Sequence, residues 1–314
     1  MTDVHYPELT HSKSNHAGTA ELNLPSCPIN VERFQNGDRL AIRETVATEE
    51  PLEIRIEFGP RSHRVNSAIS ITMRTPGHDR ELAAGFLYTE GVIRDGADLD
   101  ERTESDGNDP PRNSVCVHLA PEVHVNSATL RRNFYTTSSC GICGKASLAA
   151  LQTLCPPRIK NAFKIDAETL FRLPESLRLQ QALFKQTGGL HAAALFKGDG
   201  SLEAVSEDVG RHNALDKLIG AALLKDRLPL RERVLLLSGR ASFELLQKAL
   251  MAGIPMVAAV GAPSSLAVQV AREFDITLIG FLRPDHFNLY NGAERIRSGR
   301  VSDLQNPSPQ SLHA

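Results

Sequence analysis

Two cysteines separated by two residues give this sequence its strongest chemical signal. Cys140 and Cys143 lie in the segment TTSSCGICGKASL, just ahead of a helical pattern of leucines. The N-terminus of a helix and a cation such as Lys145 both stabilise a thiolate. Gly141 and Gly144 allow a substrate to approach the backbone closely. The motif therefore favours nucleophilic sulfur chemistry, either disulfide exchange or the carriage of a persulfide.

Two other interpretations of the cysteine pair stay open. A single C-x-x-C can supply half of a structural zinc site, but Cys27, Cys116 and Cys155 offer no second pair. A site made of Cys140, Cys143, Cys155 and a histidine has no support from the spacing. The pair could also have no chemical role. A thioredoxin-like function is disfavoured, because only a weak strand pattern precedes the motif.

A second polar cluster follows a segment of small apolar residues. His191 lies in that segment, TGGLHAAALF, and SEDVGRHNALDKL comes shortly after it. Asp208, Arg211 and His212 are spaced to share one face of a helix predicted over 207–224. Such a set could border a cleft that binds a ligand or transfers a proton. Taken alone, a solvated helix start with salt bridges is the simpler interpretation, and His191 is more simply a core histidine.

Two turns between apolar strands and helices form the third signal. LLLSGR and AAVGAPSS each lead from a strand through small residues into a helix. Ligands of α/β sheets bind where strands end, and helix N-termini there favour anions. Neither GxGxxG nor a Walker A motif is present, and simple capping turns are an equal alternative. The residues placed for an anionic ligand are Ser238, Gly239, Arg240, Gly261, Ser264 and Ser265.

The segment GFLRPDHFNLYN follows the last apolar strand. It combines cationic, hydrogen-bonding and aromatic side chains, which a nucleotide base and its phosphates would require. On composition alone the signal is weak. The side chains concerned are Arg283, His286, Asn288 and Tyr290.

The elements that must position these residues divide the chain into two parts. Strict alternation at 52–58 and 66–74 predicts strands with one buried face, and a helix is expected at 78–90. In the second half, apolar runs at 235–238, 255–261 and 276–281 alternate with helical patterns at 241–253 and 264–274. This alternation predicts a parallel or mixed sheet covered on both faces. We therefore expect an α/β protein with a disordered tail (1–26), a β-rich N-terminal domain (27–125) with an acidic surface loop (95–113), an α/β domain (126–292) and a polar tail (293–314).

Composition excludes several classes of function. The chain has 314 residues, 35 basic and 37 acidic, and this balance argues against sequence-independent binding of nucleic acid. No stretch approaches the roughly 18–20 uncharged apolar residues of a membrane helix. The start of the chain lacks the features of a secretory signal, and five cysteines are too few for a disulfide scaffold. We expect a cytoplasmic protein that binds neither nucleic acid nor membrane.

Taken together, these motifs resemble the FdhD family of formate dehydrogenase accessory sulfurtransferases. The resemblance covers about residues 36–292, and the combination is far more specific than the C-x-x-C alone. The matching segments, in family order, are TPGHDRELAAGFLYTEGVI, SSCGICGK, TGGLHAAALF, EDVGRHNALDKLIG, LLLSGRASFELLQKA, PMVAAVGAPSSLAVQVA and GFLRPDHFNLY.

The resemblance implies a function in the maturation of the molybdenum cofactor. A family member accepts sulfur from a cysteine desulfurase as a persulfide, whose position falls on Cys140, with Cys143 assisting. It passes the sulfur to the bis(molybdopterin guanine dinucleotide) cofactor that formate dehydrogenase needs, and we expect no metal of its own. The implied fold is a homodimer with a cytidine-deaminase-like three-layer domain, although the zinc signature of deaminases is absent. The guanine-dinucleotide contact falls on Phe281, Leu282, Arg283, Pro284, Asp285 and His286.

One stretch departs from the family pattern. Family members commonly have a Gly and a second Arg after the first Arg of the last motif, where this chain has Pro284, Asp285 and His286. Asp285 would repel a phosphate unless it faces away. Two alternative functions stay open. One is a non-catalytic chaperone that binds the cofactor for formate dehydrogenase, and the other is a general dithiol–disulfide oxidoreductase.

Overall fold

The computed structural model of this chain describes residues 24–100, 113–125 and 163–298. These residues form a mixed α/β structure that contains several sheets. Cys140 and Cys143 lie outside the described residues, as do most of the predicted N-terminal tail and most of the acidic loop. Within the described ranges, no helix is long and apolar enough to cross a membrane.

The N-terminal part consists of a hairpin, a small sheet and a helix. Its elements are β1 (Ser26–Gln35), β2 (Asp38–Ala47), β3 (Glu50–Phe58), β4 (Val65–Arg74), α1 (Asp79–Thr89) and β5 (Ser114–His118). β1 and β2 pair as an antiparallel hairpin. The small sheet has the order β4–β3–β5. Alternation predicted β3 and its buried face correctly, because Leu52, Ile54 and Ile56 are wholly buried. It also predicted β4 as a strand, but the buried face expected there was wrong: Ile69 is buried, whereas Ile71 and Met73 are exposed, because a register irregularity follows Ile54 in the pairing with β3.

A six-stranded mixed sheet forms the second part. Its strands are β7 (His191–Phe196), β8 (Leu202–Asp208), β9 (Val234–Leu237), β10 (Met256–Ala259), β11 (Thr277–Gly280) and β12 (Asn288–Asn291), in the order β12–β11–β10–β9–β7–β8. As the apolar runs predict, β9, β10 and β11 are parallel. β7 runs antiparallel to both of its neighbours, and β12 runs antiparallel to β11.

Helices cover both faces of this sheet, as expected from its apolar strands. The helices are α2 (Ala167–Gln180), α3 (Ala182–Thr187), α4 (Arg211–Leu223), α5 (Phe243–Met251) and α6 (Ser265–Glu273). Leu170, Leu173 and Leu177 of α2 pack on one face. Residues of α4, α5 and α6 pack on the other face, in a core that continues through α1 into the small sheet. The two parts therefore share one hydrophobic core.

Two glycines bring α1 and α4 into backbone contact. A Cβ on Gly85 would lie 1.9 Å from the carbonyl oxygen of Asp216. A Cβ on Gly220 would lie 1.8 Å from the carbonyl oxygen of Glu81. No side chain fits at either position, so the crossing depends on glycine. Because α4 begins at Arg211, this contact fixes the helix whose first turn carries predicted site residues.

The predicted start of α4 was wrong. Asp208 is the last residue of β8, where it pairs with His191 of β7, and it does not share a helix face with Arg211 and His212. The polar segment continues the strand because its backbone completes the ladder with β7. Gly210 then adopts an extended conformation and provides the N-cap of α4.

The end of the chain also differs from the prediction of a polar tail from residue 293. Ala293–Arg295 forms a 3₁₀ turn, and β13 (Ile296–Arg297) pairs with β6 (Ile165–Asp166). The Arg295 side chain is buried and forms an ion pair with Asp275 at 2.6 Å. A buried arginine with a carboxylate partner anchors this segment, which polarity alone does not reveal.

The first residues of the predicted acidic surface loop are packed against the protein. Asp98 is buried, and its carboxylate accepts a hydrogen bond from the backbone N–H of Arg94 at 2.7 Å. Leu99 forms an isolated antiparallel bridge with Leu119, beyond the end of β5. This part of the acidic segment therefore belongs to the small sheet.

Candidate functional site

One edge of the six-stranded sheet collects most of the residues that the sequence singled out. Because β8, β9, β10 and β11 run in the same direction, their carboxyl ends meet there, beside the amino ends of β7 and β12. Helices α4, α5 and α6 begin at this edge, directly after β8, β9 and β10. We call it the strand-end edge. It is the position at which open α/β sheets usually bind ligands.

His191 begins β7 at the strand-end edge and lies against the turn after β9. The backbone of Ala192 forms two hydrogen bonds with Ser238, one to its hydroxyl at 2.8 Å and one from its N–H at 3.0 Å. A Cβ on Gly239 would lie 3.3 Å from Nδ1 of His191, so glycine leaves room for the imidazole. Burial, together with the charges of Arg211 and Arg240, lowers the pKa of His191. The imidazole is therefore neutral at neutral pH.

His212 lies in the first turn of α4 and faces the start of α5. Its Nε2 lies 3.4 Å from the hydroxyl oxygen of Ser242 and 3.9 Å from a carboxylate oxygen of Glu244. Burial lowers the pKa of His212 to about 4, and the charges of Lys248 and Arg211 act in the same direction. His191 also contributes to this shift, so the two imidazoles are electrostatically coupled. Like His191, His212 is a neutral imidazole at neutral pH.

Two arginines supply positive charge beside the imidazoles. Among the described residues, neither Arg211 nor Arg240 forms an ion pair, and Nε of Arg211 is buried without a hydrogen-bond partner. Arg240 is exposed, in the turn that leads from β9 to α5. Guanidinium groups and helix N-termini both favour anions. The strand-end edge can therefore bind an anionic ligand next to two groups that can accept a proton.

Asp208 supports this edge from within. The residue is wholly buried, and it forms an ion pair with Lys217 of α4 at 2.7 Å. Its other donors are the backbone N–H groups of Thr75 at 3.2 Å and Gly210 at 2.8 Å, and Nδ2 of Asn213 at 3.1 Å. The expectation of a solvated, salt-bridged helix start was therefore wrong about solvation. Asp208 fixes the start of α4 to the end of β4 and does not face a ligand.

The segment from Phe281 to His286 lies at the strand-end edge but does not act as one surface. Phe281, Pro284, Asp285 and His286 are exposed, whereas Leu282 is buried in the core. The Arg283 guanidinium donates to the carbonyl oxygens of Val260 at 2.8 Å and Leu282 at 2.9 Å. Arg283 therefore stabilises the turn, and the cations nearest to a bound phosphate would be Arg211 and Arg240. Asp285 is paired with the exposed His286 at 2.7 Å.

The turns after β9 and β10 are packed closely together. A Cβ on Gly261 would lie 2.9 Å from the carbonyl oxygen of Gly239, which explains the small residues in both turns. The Ser264 hydroxyl accepts a hydrogen bond from the N–H of Ala267 at 3.2 Å, so it caps α6. Ser265 is exposed on the first turn of that helix. Capping thus explains Ser264, whereas Arg240 has no structural partner among the described residues.

Sequence reasoning missed the partners of His212. Ser242 is the N-cap of α5 and Glu244 lies in its first turn, thirty or more positions along the chain, so no local spacing connects them to His212. Lys248 was also missed, because the periodicity only marks it as a helix residue. It is buried and forms an ion pair with Asp216 at 3.0 Å. A lysine inside an apolar stripe was the available signal for such a pair.

A groove in the described part of the chain lies away from the strand-end edge. It has a volume of about 700 Å³ and is lined at the opposite end of the sheet by Lys197, Glu203, Arg227, Pro229, Leu230, Arg231, Glu232 and Arg233. Glu203 forms ion pairs with Arg227 and Arg233 in its wall. None of the predicted site residues contacts this groove. In residues 24–100, 113–125 and 163–298, no group of three or more metal-ligating side chains is present.

The described fold is that of an α/β protein whose strand-end edge carries two arginines without ion-pair partners among the described residues. Comparison with known families is more specific. The model of the FdhD/NarQ family matches residues 47–297. The chain therefore belongs to the FdhD/NarQ family, as the motifs indicated.

Curated relatives support the same assignment. A Streptomyces coelicolor protein named sulfur carrier protein FdhD is 51% identical over 273 residues, covering 85% of this chain and 94% of that protein. A Mycobacterium tuberculosis protein with the same name is 50% identical over 274 residues, covering 84% of this chain and 96% of the relative. Both relatives thus align with this chain over most of their length.

A solved structure supports the fold. The crystal structure of a Desulfotalea psychrophila protein matches with a TM-score of 0.66. That protein is described as a putative formate dehydrogenase accessory protein. The match covers 87% of this chain and 99% of the other, at 24% sequence identity. The mixed α/β architecture with several sheets is therefore shared with this structure.

Proposed function

We propose that this protein is a sulfur carrier that receives sulfur from a cysteine desulfurase on Cys140 and delivers it to the bis(molybdopterin guanine dinucleotide) cofactor of formate dehydrogenase. Membership of the FdhD/NarQ family over residues 47–297 is the observation that carries the proposal. The names of the relatives, sulfur carrier protein FdhD, point to the same chemistry. The C-x-x-C motif supplies the two thiols that this chemistry needs.

The transfer balances with two thiols. The Cys140 thiolate attacks the outer sulfur of the desulfurase persulfide, and the desulfurase cysteine leaves as a thiolate. Attack of the Cys143 thiolate on Sγ of Cys140 then forms a disulfide and releases the outer sulfur as hydrosulfide. Oxidation of the two cysteine sulfurs to the disulfide supplies the two electrons that reduce the outer sulfur to hydrosulfide. Hydrosulfide replaces an oxygen ligand of molybdenum, which leaves as water, and a cellular thiol reduces the disulfide.

The strand-end edge supplies the binding chemistry for the cargo. Arg211 and Arg240 would neutralise its phosphates, because Arg283 already donates to backbone carbonyl groups. Exposed residues of the segment from Phe281 to His286 would contact the guanine. The neutral imidazole of His191 would accept or return a proton that accompanies the exchange of oxygen for sulfur.

The proposal includes further statements about partners and architecture. The partners are a cysteine desulfurase, formate dehydrogenase and a second copy of this chain. The compartment is the cytoplasm, because a persulfide carrier needs reduced thiols. The α/β part would be a cytidine-deaminase-like domain without zinc.

The test is the intact mass of the protein before and after incubation with a cysteine desulfurase and cysteine, followed by peptide mapping. We expect a gain of one sulfur atom on Cys140 that a thiol reductant removes. Cys140→Ser should gain no sulfur, whereas Cys143→Ser should gain it and release it more slowly. Cys27→Ser is the matched control, since Cys27 is an exposed free thiol far along the chain from the motif. It should behave as the wild type.

Two results would contradict the proposal. Loss of two hydrogens without a gain of sulfur would indicate a Cys140–Cys143 disulfide and a dithiol oxidoreductase. Formate dehydrogenase activity that survives the double change Cys140→Ser and Cys143→Ser would indicate a non-catalytic cofactor chaperone.

A further inference from the structure

The groove at the opposite end of the sheet from the strand-end edge is lined mainly by basic side chains, and we call it the basic groove. One wall consists of the turn between β7 and β8 and the start of β8, and it contributes Lys197 and Glu203. The other wall is the segment 227–233, between α4 and β9. The eight lining residues include four basic and two acidic side chains, with Pro229 and Leu230 as the apolar ones. The groove therefore has an excess of positive charge in a chain whose net charge is −2.

Hydrogen bonds within the protein hold both walls of the basic groove. In the first wall, the backbone N–H of Lys197 donates to the carbonyl oxygen of Ser201 at 3.0 Å. In the second wall, the backbone N–H of Leu230 donates to the carbonyl oxygen of Ala252 at 2.8 Å, and the Leu230 side chain is buried. A ligand would therefore meet a preformed surface, so its binding would require little ordering of the groove.

The two acidic side chains offset the positive charge of the groove only in part. Glu203 forms ion pairs with Arg227 at 3.6 Å and with Arg233, so this carboxylate is neutralised within the groove itself. Glu232 is exposed, and its carboxylate is free to extend into solvent. Lys197 is also exposed, and 58% of the Arg227 side chain is exposed despite its ion pair. The groove therefore presents cations to solvent on both walls.

The arrangement of these cations disfavours a small anion and a nucleic acid. Small anions are commonly bound at helix N-termini, where several donors converge, whereas α4 ends at Leu223 and brings the negative end of its dipole towards this groove. None of the eight lining residues is aromatic, so the bases of a nucleic acid would have no surface on which to stack. An extended polypeptide that carries carboxylates at intervals matches cations spread over two walls, and its carbon atoms would contact the exposed Pro229.

We propose that the basic groove is a docking site for an extended acidic segment of a partner protein. The carboxylates of that segment would pair with Lys197 on one wall and with Arg227 and Arg231 on the other. The groove lies at the opposite end of the sheet from Arg211 and Arg240, so a partner docked there leaves the strand-end edge open. The inference goes beyond the proposed sulfur transfer and does not depend on it, because it is based on the charge and the shape of the groove.

The test is the binding of a fluorescein-labelled peptide of alternating glutamate and serine to the full chain, measured by fluorescence anisotropy. The wild type should bind it with a Kd that rises with added salt, because exposed charges are screened. The double change Lys197→Glu and Arg231→Glu, which leaves both ion pairs of Glu203 in place, should raise the Kd by at least about 10-fold. Its matched control, Arg43→Glu and Arg80→Glu, makes the same change of net charge at exposed arginines outside the groove and should bind as the wild type does.

A gain of binding makes the test independent of any loss of folding. Glu232→Lys replaces the exposed acidic side chain of the groove with a basic one, and it should lower the Kd of the glutamate peptide by about 3-fold or more. A peptide of alternating glutamine and serine should bind neither this variant nor the wild type. Circular dichroism would confirm that each variant is folded.

Several results would overturn the inference. One is a wild type that does not bind the glutamate peptide at low salt, and another is an equal loss of binding in the groove variant and its control. Displacement of the peptide by lower concentrations of inorganic phosphate or of an oligothymidylate than of the unlabelled peptide would indicate a small anion or a nucleic acid. Tighter binding after removal of residues 101–112, which contain four acidic and two basic residues, would identify this chain's own acidic segment as the occupant. Sulfur uptake on Cys140 is measured separately by mass, so failure of the groove would not be confused with failure of the proposed sulfur carrier.

Discussion

Buried charges around α4, where this helix contacts α1, the end of β8 and the end of β4, differ from the arginines at the strand-end edge in one respect, and we call this region the junction. At the junction the two buried carboxylates each meet a lysine, Asp208 with Lys217 at 2.7 Å and Asp216 with Lys248 at 3.0 Å. Hydroxyl and backbone groups satisfy the remaining positions, as where the Thr89 hydroxyl donates to Asp216 at 2.9 Å. These charges hold two parts of one core together.

At the strand-end edge two arginines lack such partners. Within the described part of the chain, Arg211 and Arg240 form no ion pair, and they lie close enough to His191 to lower its pKa. An unpaired cation beside a neutral base contributes little to the stability of the fold, but it can bind an anion. The comparison therefore separates charged residues that stabilise the fold from charged residues that are free to contact a ligand.

The largest effect on stability is expected for Gly220→Ala, which places a methyl group at the contact between α1 and α4. The new Cβ would lie 1.8 Å from the carbonyl oxygen of Glu81, so α1 and α4 must separate and disrupt both lysine pairs. We expect a loss of about 4 kcal/mol or more in the free energy of unfolding, measured by urea denaturation. Gly96→Ala is the control, because its Cβ would lie 3.6 Å from the nearest atom and should cost less than about 1 kcal/mol. An unchanged midpoint for Gly220→Ala would contradict the close crossing.

A second prediction contrasts single charges in the two regions. Lys217→Met leaves the Asp208 carboxylate buried and unpaired, which should cost about 3–5 kcal/mol. Adding Asp208→Asn removes the stranded charge and should recover a large part of that loss. Arg240→Gln at the strand-end edge should change stability by less than about 0.5 kcal/mol, because Arg240 is exposed. Equal costs in urea for Lys217→Met and Arg240→Gln would remove the distinction between the regions.

The sequence predicted those elements whose burial follows a simple period. β3 alternates, and β9, β10 and β11 are unbroken apolar runs, so their positions follow from which side chains must avoid water. Alternation also located β4, although Ile71 and Met73 of its alternating set are exposed. β8 was missed because its outer positions are polar and only pairing with β7 makes it a strand. The hairpin of β1 and β2 was missed because exposed strands carry a weak burial signal.

The candidate site was predicted as separate pieces. Sequence spacing identified His191, His212 and the turn at Arg240. For each of them, however, a purely structural role explained the sequence at least as well as a functional one. Their common location depends on strand order, which brings the end of β9 beside the start of β7. The roles of Asp208 and Arg283 could not be read from residue type. The Asp208 carboxylate and the Arg283 guanidinium are of types that often bind ligands, and only their partners in the folded protein show that both have structural roles.

The smallest expected effect is electrostatic, and it tests the strand-end edge without disturbing the fold. Arg240 lowers the pKa of His191 but is not among the causes for His212, whereas Arg211 lowers the pKa of both. Arg240→Gln should therefore raise the pKa of His191 alone, and Arg211→Gln should raise both values. Histidine resonances followed by NMR across pH 3–8 would measure this, with His212 of the wild type titrating at about 4.

The lowered pKa of His212 also determines how this residue makes the free energy of unfolding depend on pH. Because folding lowers the pKa of His212 below its ordinary value of 6.5, its contribution to stability is present above pH 6.5 and is lost as pH falls towards about 4. His212→Gln should remove this part of the acid dependence and leave stability at pH 8 nearly unchanged. If Arg240→Gln shifted both histidines equally, or if His212 titrated at its ordinary value, the two imidazoles would not occupy the half-buried, cationic edge that distinguishes this region from the junction.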